Sequence, residues 1–204
     1  MKIIKPSVSI ENMPAYSDAL RIIEYAARTC YKSEGNISPG TAEQIIRKCI
    51  KRGHESVLEH VGFTIRFICD RGVSHELVRH RLCSFSQEST RYVRYDGEME
   101  FIEPWWFENY VEGSGPRKVF RASCKDAENA YREMIEMEFA PQAARAVLPN
   151  SLKTEIVVTA NIREWRHVFS LRCDSAAHPD MIRIMSMALE IAKDNLPVFF
   201  EDLK

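Results

Sequence analysis

Apolar and polar residues alternate with a period of two along HVGFTIRFICD, residues 60–70. Val61, Phe63, Ile65, Phe67 and Cys69 share one side, which predicts a strand with one buried face. SLKTEIVVTANI, residues 151–162, has the same character, and the opening MKIIKPSVSI reads as a first strand. Elsewhere the period is helical. MPAYSDALRIIEYAARTCYK sets Leu20, Ile23, Ala27 and Tyr31 on one stripe. TAEQIIRKCIKRGH begins on Thr41, a good N-cap. GVSHELVRHRL, residues 72–82, predicts a helix capped by Ser74 that carries Arg79, His80 and Arg81. RKVFRASCKDAENAYREMIEMEF predicts a long helix, and REWRHVFSLRC and DMIRIMSMALEIAKDNL two more, the last preceded by Pro179. SEGNISPG and CSFSQESTRYVRYDGE predict loops. Strands and helices mix without regular β-α-β alternation and no linker divides the chain. The expectation is one α+β domain over residues 1–204.

Composition narrows the class. The chain has 204 residues, 45% of them hydrophobic and 28% charged, enough for a substantial core. No run of about 18 apolar residues occurs, so no helical membrane span is expected. The N-terminus lacks the pattern of a signal peptide. Six cysteines stand singly with no C-x-x-C pair, which fits free thiols in a reducing, cytoplasmic setting. The net charge of −1 argues against a general nucleic-acid binder. Yet Arg outnumbers Lys by 18 to 10, and every fixed cation from Arg66 to Arg94 is Arg. Arg grips phosphate with a planar fork, so the preference hints at bound phosphates.

Two constellations carry candidate chemistry. The first joins Arg79, His80 and Arg81 to a loop holding Ser84, Ser86, Gln87, Ser89, Thr90 and Arg91. Hydroxyls, loop N–H groups and Arg make a phosphate cradle, although three clustered cations also suit a solvated helix face. The second has Asn161 before a helix bearing Arg163 and His167 four residues apart, closed by Arg172. Pairing of Arg163 and Arg172 with acids such as Glu164 and Asp174 is the plainer alternative. A metal site is not expected. His54 and His60 are six apart and His75 and His80 five, so neither pair shares a helical face as H-E-x-x-H requires. G-x-S-x-G and P-loop motifs are absent, EGSGPRK reads as a turn, and only nearby Arg81 nominates Cys83 as a nucleophile.

RHR, then seven residues, then Ser89 resembles the signature of the flavin-dependent thymidylate synthases. AARTCY, GHESVLEH, RHRLCSFSQESTRYV, ARAVLP and TANIREWRHVFSLRCDSAAHPDMIR look like that family's blocks in order, spanning roughly residues 26–183. The resemblance implies conversion of dUMP to dTMP. Methylenetetrahydrofolate would supply the carbon and NADPH the reducing equivalents through FAD, in a homotetramer with shared active sites. It implies a twisted, largely antiparallel sheet with long helices. By position, Cys30, Ser56, Arg79, His80, Arg81, Asn161, Ile162, Arg163 and His167 would contact FAD. Glu76, Leu77, Val78 and Arg79, the loop Gln87, Glu88, Ser89, Thr90 and Arg91, then Arg145 and Arg172, would contact dUMP. Arg172 at the uracil ring and His54 beside the flavin would be the catalytic pair. The RHR helix would lie between the FAD pyrophosphate and the dUMP phosphate. Cys30 stands where many members have Ser, Glu76 where some have Gln and His167 where some have Asn; AAHPD replaces a more usual Ala-Gln stretch. Two other readings remain: a non-catalytic nucleotide- or RNA-binding module, and a flavin reductase without folate chemistry.

Overall fold

The computed structural model describes residues 1–204. In chain order the elements are β1 (Lys2–Ile4), β2 (Ser7–Asn12), α1 (Tyr16–Thr29), α2 (Thr41–Lys51), β3 (Gly62–Asp70), α3 (Arg71–Leu77), β4 (Ser84–Gln87), β5 (Glu100–Ile102), α4 (Gly115–Glu136), α5 (Pro141–Ala144), β6 (Lys153–Asn161), α6 (Ile162–Arg172), α7 (Pro179–Asn195) and α8 (Pro197–Phe200). Short 3-10 turns cover Glu55–His60 and Arg145–Val147. The four-stranded sheet has the order β2-β3-β6-β4 and the fold is α+β with an antiparallel sheet and long helices. β1 and β5 pair in parallel, Lys2 opposite Glu100.

The alternation read for residues 60–70 is realised in β3. Phe63, Ile65, Phe67 and Cys69 are buried and the residues between them are partly open. Pro6 breaks the expected first strand into β1 and β2. Other boundaries shift for identifiable reasons. Gly40, at φ +82°, is the N-cap of α2; Thr41 lies inside, its hydroxyl bonded to the Ser38 carbonyl and to Glu24, both at 2.7 Å. Tyr31 falls past the end of α1, on no buried stripe, and is exposed. Asp70, not Ser74, caps α3: its Oδ1 accepts from Val73 N at 2.8 Å, while Ser74 Oγ donates to the Arg71 carbonyl.

The contacts gather into two compact units, one of residues 1–7, 67–79 and 86–156, the other of residues 8–66, 80–85 and 157–204. In the first, Met99, Phe101, Cys124, Tyr131, Ala144 and Leu152 form a core under α4. The second is built around aromatic rings. Phe63 stacks on Trp165 at 5.0 Å between centroids, Trp165 on Phe169 at 5.4 Å, and Phe200 meets Phe63 edge-on at 5.9 Å. The Trp165 indole N–H donates to the Phe63 carbonyl at 3.1 Å, so the ring is packed without a stranded donor.

Candidate functional site

The RHR triplet does not continue a helix. α3 ends at Leu77, Val78 N bonds back to Ser74 O, and Arg79 and Arg81 stand exposed in the following turn. Leaving helical geometry lets His80 turn inward, where it is 7% exposed. Its partners come from α6. Arg172 Nε donates to His80 Nε2 at 2.9 Å, which puts the imidazole proton on Nδ1, 3.8 Å from Glu164 Oε1. The rings of His80 and His167 meet edge-on at 5.8 Å. Burial, then the Arg172 charge, then His167 depress the His80 pKa to about 4, so it is neutral at pH 7.

Donor atoms of His80, Glu164 and His167 lie within 4.8 Å of one another, a grouping that could in principle take a cation. The bonding argues otherwise. With Nε2 accepting from Arg172, Nδ1 keeps its proton and cannot ligate, and the guanidinium repels a positive ion. Cys83 is no nucleophile here: burial, then Glu164 at 3.9 Å, push its thiol up to about 12.

The rest of this unit's predicted residues are placed by local devices. Asn161 caps α6, its Oδ1 accepting from Glu164 N at 2.9 Å. Ile162 beneath it is fully buried. Arg163 and His167 lie exposed on one helical face, as their spacing predicts, but the acid that meets Arg163 is Glu59, not Glu164. Exposed ion pairs of this kind contribute little, so the arginine is only lightly held. Glu55 of the GHES block turns to Arg166, which also grips Asp202 through both carboxylate oxygens at 2.7 Å. His54 is set by a Schellman motif: Gly53 at φ +69°, Gly53 N to Ile50 O, and His54 N to Cys49 O. Ser56 and Cys30 are exposed, and the Cys30 thiol faces the Ala26 carbonyl of its own helix.

The stretch read as a loop includes a strand, β4, whose polar S-F-S-Q pattern hides it. Gln87 at its end donates to Ser74 Oγ at 2.8 Å and Thr154 Oγ1 at 3.2 Å. Glu88 accepts from Tyr95 OH at 2.7 Å and Lys153 Nζ at 3.3 Å, and its N–H bonds the Glu155 carbonyl. Ser89 closes a turn to Tyr92 and Val93, and buried Thr90 accepts from Arg145 at 3.1 Å. Arg91 points outward beside the Tyr92 ring. Glu76 is partly buried and Leu77 fully, Val78 is exposed. Sequence reasoning missed Tyr95, Lys153 and the capping role of Asp70. It passed over Glu164 except as a salt-bridge partner; nothing local announces that this acid turns under His80.

Arg79 and Arg81 have no ion-pair or side-chain hydrogen-bond partner, and Arg91 none beyond its ring contact. By contrast Arg21, Arg47, Arg66, Arg117 and Arg132 all meet carboxylates. The fold thus leaves Arg79, Arg81 and Arg91 open, while Arg145, Arg163 and Arg172, nominated with them, bond Thr90, Glu59 and His80.

Comparison with known proteins identifies the family. The family described as thymidylate synthase complementing protein matches residues 12–198. A flavin-dependent thymidylate synthase of Geobacter sulfurreducens is 35% identical over 88% of this chain and 80% of its own length. Those of Corynebacterium efficiens and Mycobacterium avium are each 36% identical over 90% of this chain and 79% of theirs. A match of this length and strength means that the chain belongs to the thymidylate synthase complementing protein family.

Proposed function

We propose that this chain is a flavin-dependent thymidylate synthase, one synthase domain over residues 1–204. It converts dUMP to dTMP with methylenetetrahydrofolate as carbon donor and NADPH as reductant, through FAD. The observation that carries the reading is the set of open arginines, Arg79, Arg81 and Arg91, at the matched phosphate-binding positions. Guanidinium groups left without a carboxylate keep their planar forks free to grip pyrophosphate and phosphate.

The residues fit a flavin. Arg79, His80 and Arg81, with Asn161, Ile162, Arg163 and His167 and with Cys30 and Ser56, would hold it; Asn161 spends only its oxygen on the helix cap, leaving its amide N–H₂ to donate. Bound FAD supplies the redox chemistry, which accounts for the lack of an activated cysteine. Glu76–Arg79, Gln87–Arg91, Arg145 and Arg172 would hold dUMP. Tying the Glu88 carboxylate to Tyr95 and Lys153 keeps it off the incoming phosphate and presents the loop backbone instead. Neutral His80 accepts from Arg172 and so orients the guanidinium without competing charge. Arg172 would then stabilise negative charge that develops on the uracil carbonyl edge, with His54 beside the flavin.

A homotetramer with shared sites fits the exposed apolar side chains Leu82 and Tyr92, which flank the arginines. A cytoplasmic location accords with the six free cysteines. The test is a visible spectrum of the purified protein with FAD, followed anaerobically after NADPH, without and with dUMP. Flavin bands that bleach and respond to dUMP, then dTMP on adding methylenetetrahydrofolate, support the synthase. No bound flavin under any condition overturns it in favour of a non-catalytic nucleotide- or RNA-binding module, and NADPH oxidation without dTMP indicates a reductase.

A further inference from the structure

A groove of about 250 Å³ runs between the ends of α1 and α2 and beside His54. No carboxylate lines it. Its polar walls are Arg28, Lys48, Arg52 and His54, and its less polar surface includes Tyr31 and Ile45. Arg28 is braced by the buried Glu24, to which Nε and a terminal nitrogen both donate. Lys48 and Arg52, one helical turn apart, have no hydrogen-bond or ion-pair partner from their side chains. Like charges at that spacing repel. Arg47 on the same helix shows the contrast, since it meets both Glu43 and Glu201.

Cations near a helix C-terminus often serve its free carbonyls. Here that need is already met by the backbone. Arg52 N bonds Lys48 and Cys49, Gly53 N bonds Ile50, and His54 N bonds Cys49; at the end of α1, Tyr31 N and Ser33 N both bond Arg28 O. The two cations are therefore left to face the groove. Tyr31, 69% exposed, offers a ring face at its rim. The volume is too small for a whole dinucleotide or folate but suits an anionic end group.

We propose that this groove binds the polyanionic end of a co-substrate, an oligocarboxylate tail or a ribose phosphate, with Lys48 and Arg52 as its charge partners. A ligand anchored there has its uncharged portion at His54. The identity of the co-substrate rests on the synthase reading; the existence of the anion site does not.

The test is isothermal titration of the full-length chain with folylpentaglutamate, folic acid and 2′,5′-ADP, at low and moderate salt, needing no turnover. The same titrations are made on Lys48→Gln/Arg52→Gln and on the charge-preserving Lys48→Arg/Arg52→Lys, whose folding circular dichroism checks. Removing two charge-assisted contacts should weaken the relevant probe by about tenfold or more, and the charge-preserving variant should retain binding. Loss for folylpentaglutamate with folic acid unchanged identifies the oligocarboxylate; loss for 2′,5′-ADP identifies the phosphate. Equal affinities in the wild type and the Gln variant for both anionic probes, or no binding to the wild type, overturn the proposal. A separate dTMP assay tests the synthase reading. A chain that binds the probe through Lys48 and Arg52 but makes no dTMP keeps the groove and loses the synthase.

Discussion

At the scale of single residues the centre of the candidate site is the contact between Arg172 and His80. Each shapes the other: the guanidinium helps hold the imidazole neutral, and the neutral imidazole can accept its N–H. Replacing Arg172 by Ala removes one cause of the depressed His80 pKa. NMR titration should then find it risen from about 4 towards the ordinary 6.5, with flavin still bound and dTMP formation down by about 100-fold. Near-normal turnover would remove Arg172 from the mechanism. The same shift has a sign for stability. Between about pH 6.5 and pH 4 the unfolded chain takes up a proton at this residue and the folded one does not. Stability contributed by neutral His80 is thus complete above that window and is lost as pH falls through it. In His80→Gln, urea midpoints should decline less steeply over the same range; an unchanged slope would deny His80 this role. Gly53, at φ +69°, is the residue on which the placing of His54 depends. Gly53→Ala forces a side chain into the left-handed region and should cost about 1 kcal/mol in chemical denaturation.

At the scale of elements, the two nominated loops are positioned by the ends of regular structure. Gln87 is locked to α3 and β6 through Ser74 and Thr154, and Glu88 is held by Tyr95 and Lys153. Tyr95→Phe should raise the KM for dUMP several-fold while flavin affinity stays unchanged; a parallel loss of both would mean that Tyr95 acts only on folding. β3 and β6 approach so closely at Gly62 that an added Cβ would sit 2.7 Å from the Ala160 carbonyl oxygen. Backbone cannot yield there cheaply, and Gly62→Ala should lower the thermal midpoint by several degrees, as expected for a cost of about 1–3 kcal/mol. Much at this scale was legible in the sequence. The alternation of β3, the periodicity of α1, α4, α6 and α7, and Pro179 at the start of α7 all correspond to what is seen. β4 was not, because its outward hydroxyls resemble turn chemistry. The end of α3 at Leu77 was not either, because no residue in the helical pattern marks it, and the periodicity carries the predicted helix on through the arginines.

At the scale of the whole molecule, no helix is long and apolar enough to cross a membrane. The open arginines occur within a chain of net charge −1, so they act locally rather than as part of a broad basic surface. Trp165, fully buried and stacked with Phe63 and with Phe169, ties α6 to β3 within its unit. Trp165→Ala should cost about 3–5 kcal/mol and be read as a large fall in the denaturation midpoint. Light scattering should give four times the mass of the chain if the proposed tetramer forms; a monomer would require each site to be complete within one chain.

What the sequence determined alone was local and chemical. Hydrophobic period located most elements, although Gly40 and Asp70 took the capping places read for Thr41 and Ser74, and the five ordered motif blocks pointed to the family and to the residues that would meet phosphate and flavin. What only the tertiary structure decided was pairing. Whether an arginine is open or neutralised depends on which carboxylates the fold brings near, and Glu59 lies 104 residues from its partner Arg163. Arg172 finds His80 across 92 residues, and the neutrality of that histidine follows from its burial. Charge state and orientation come from neighbours distant in sequence, and no local pattern encodes them.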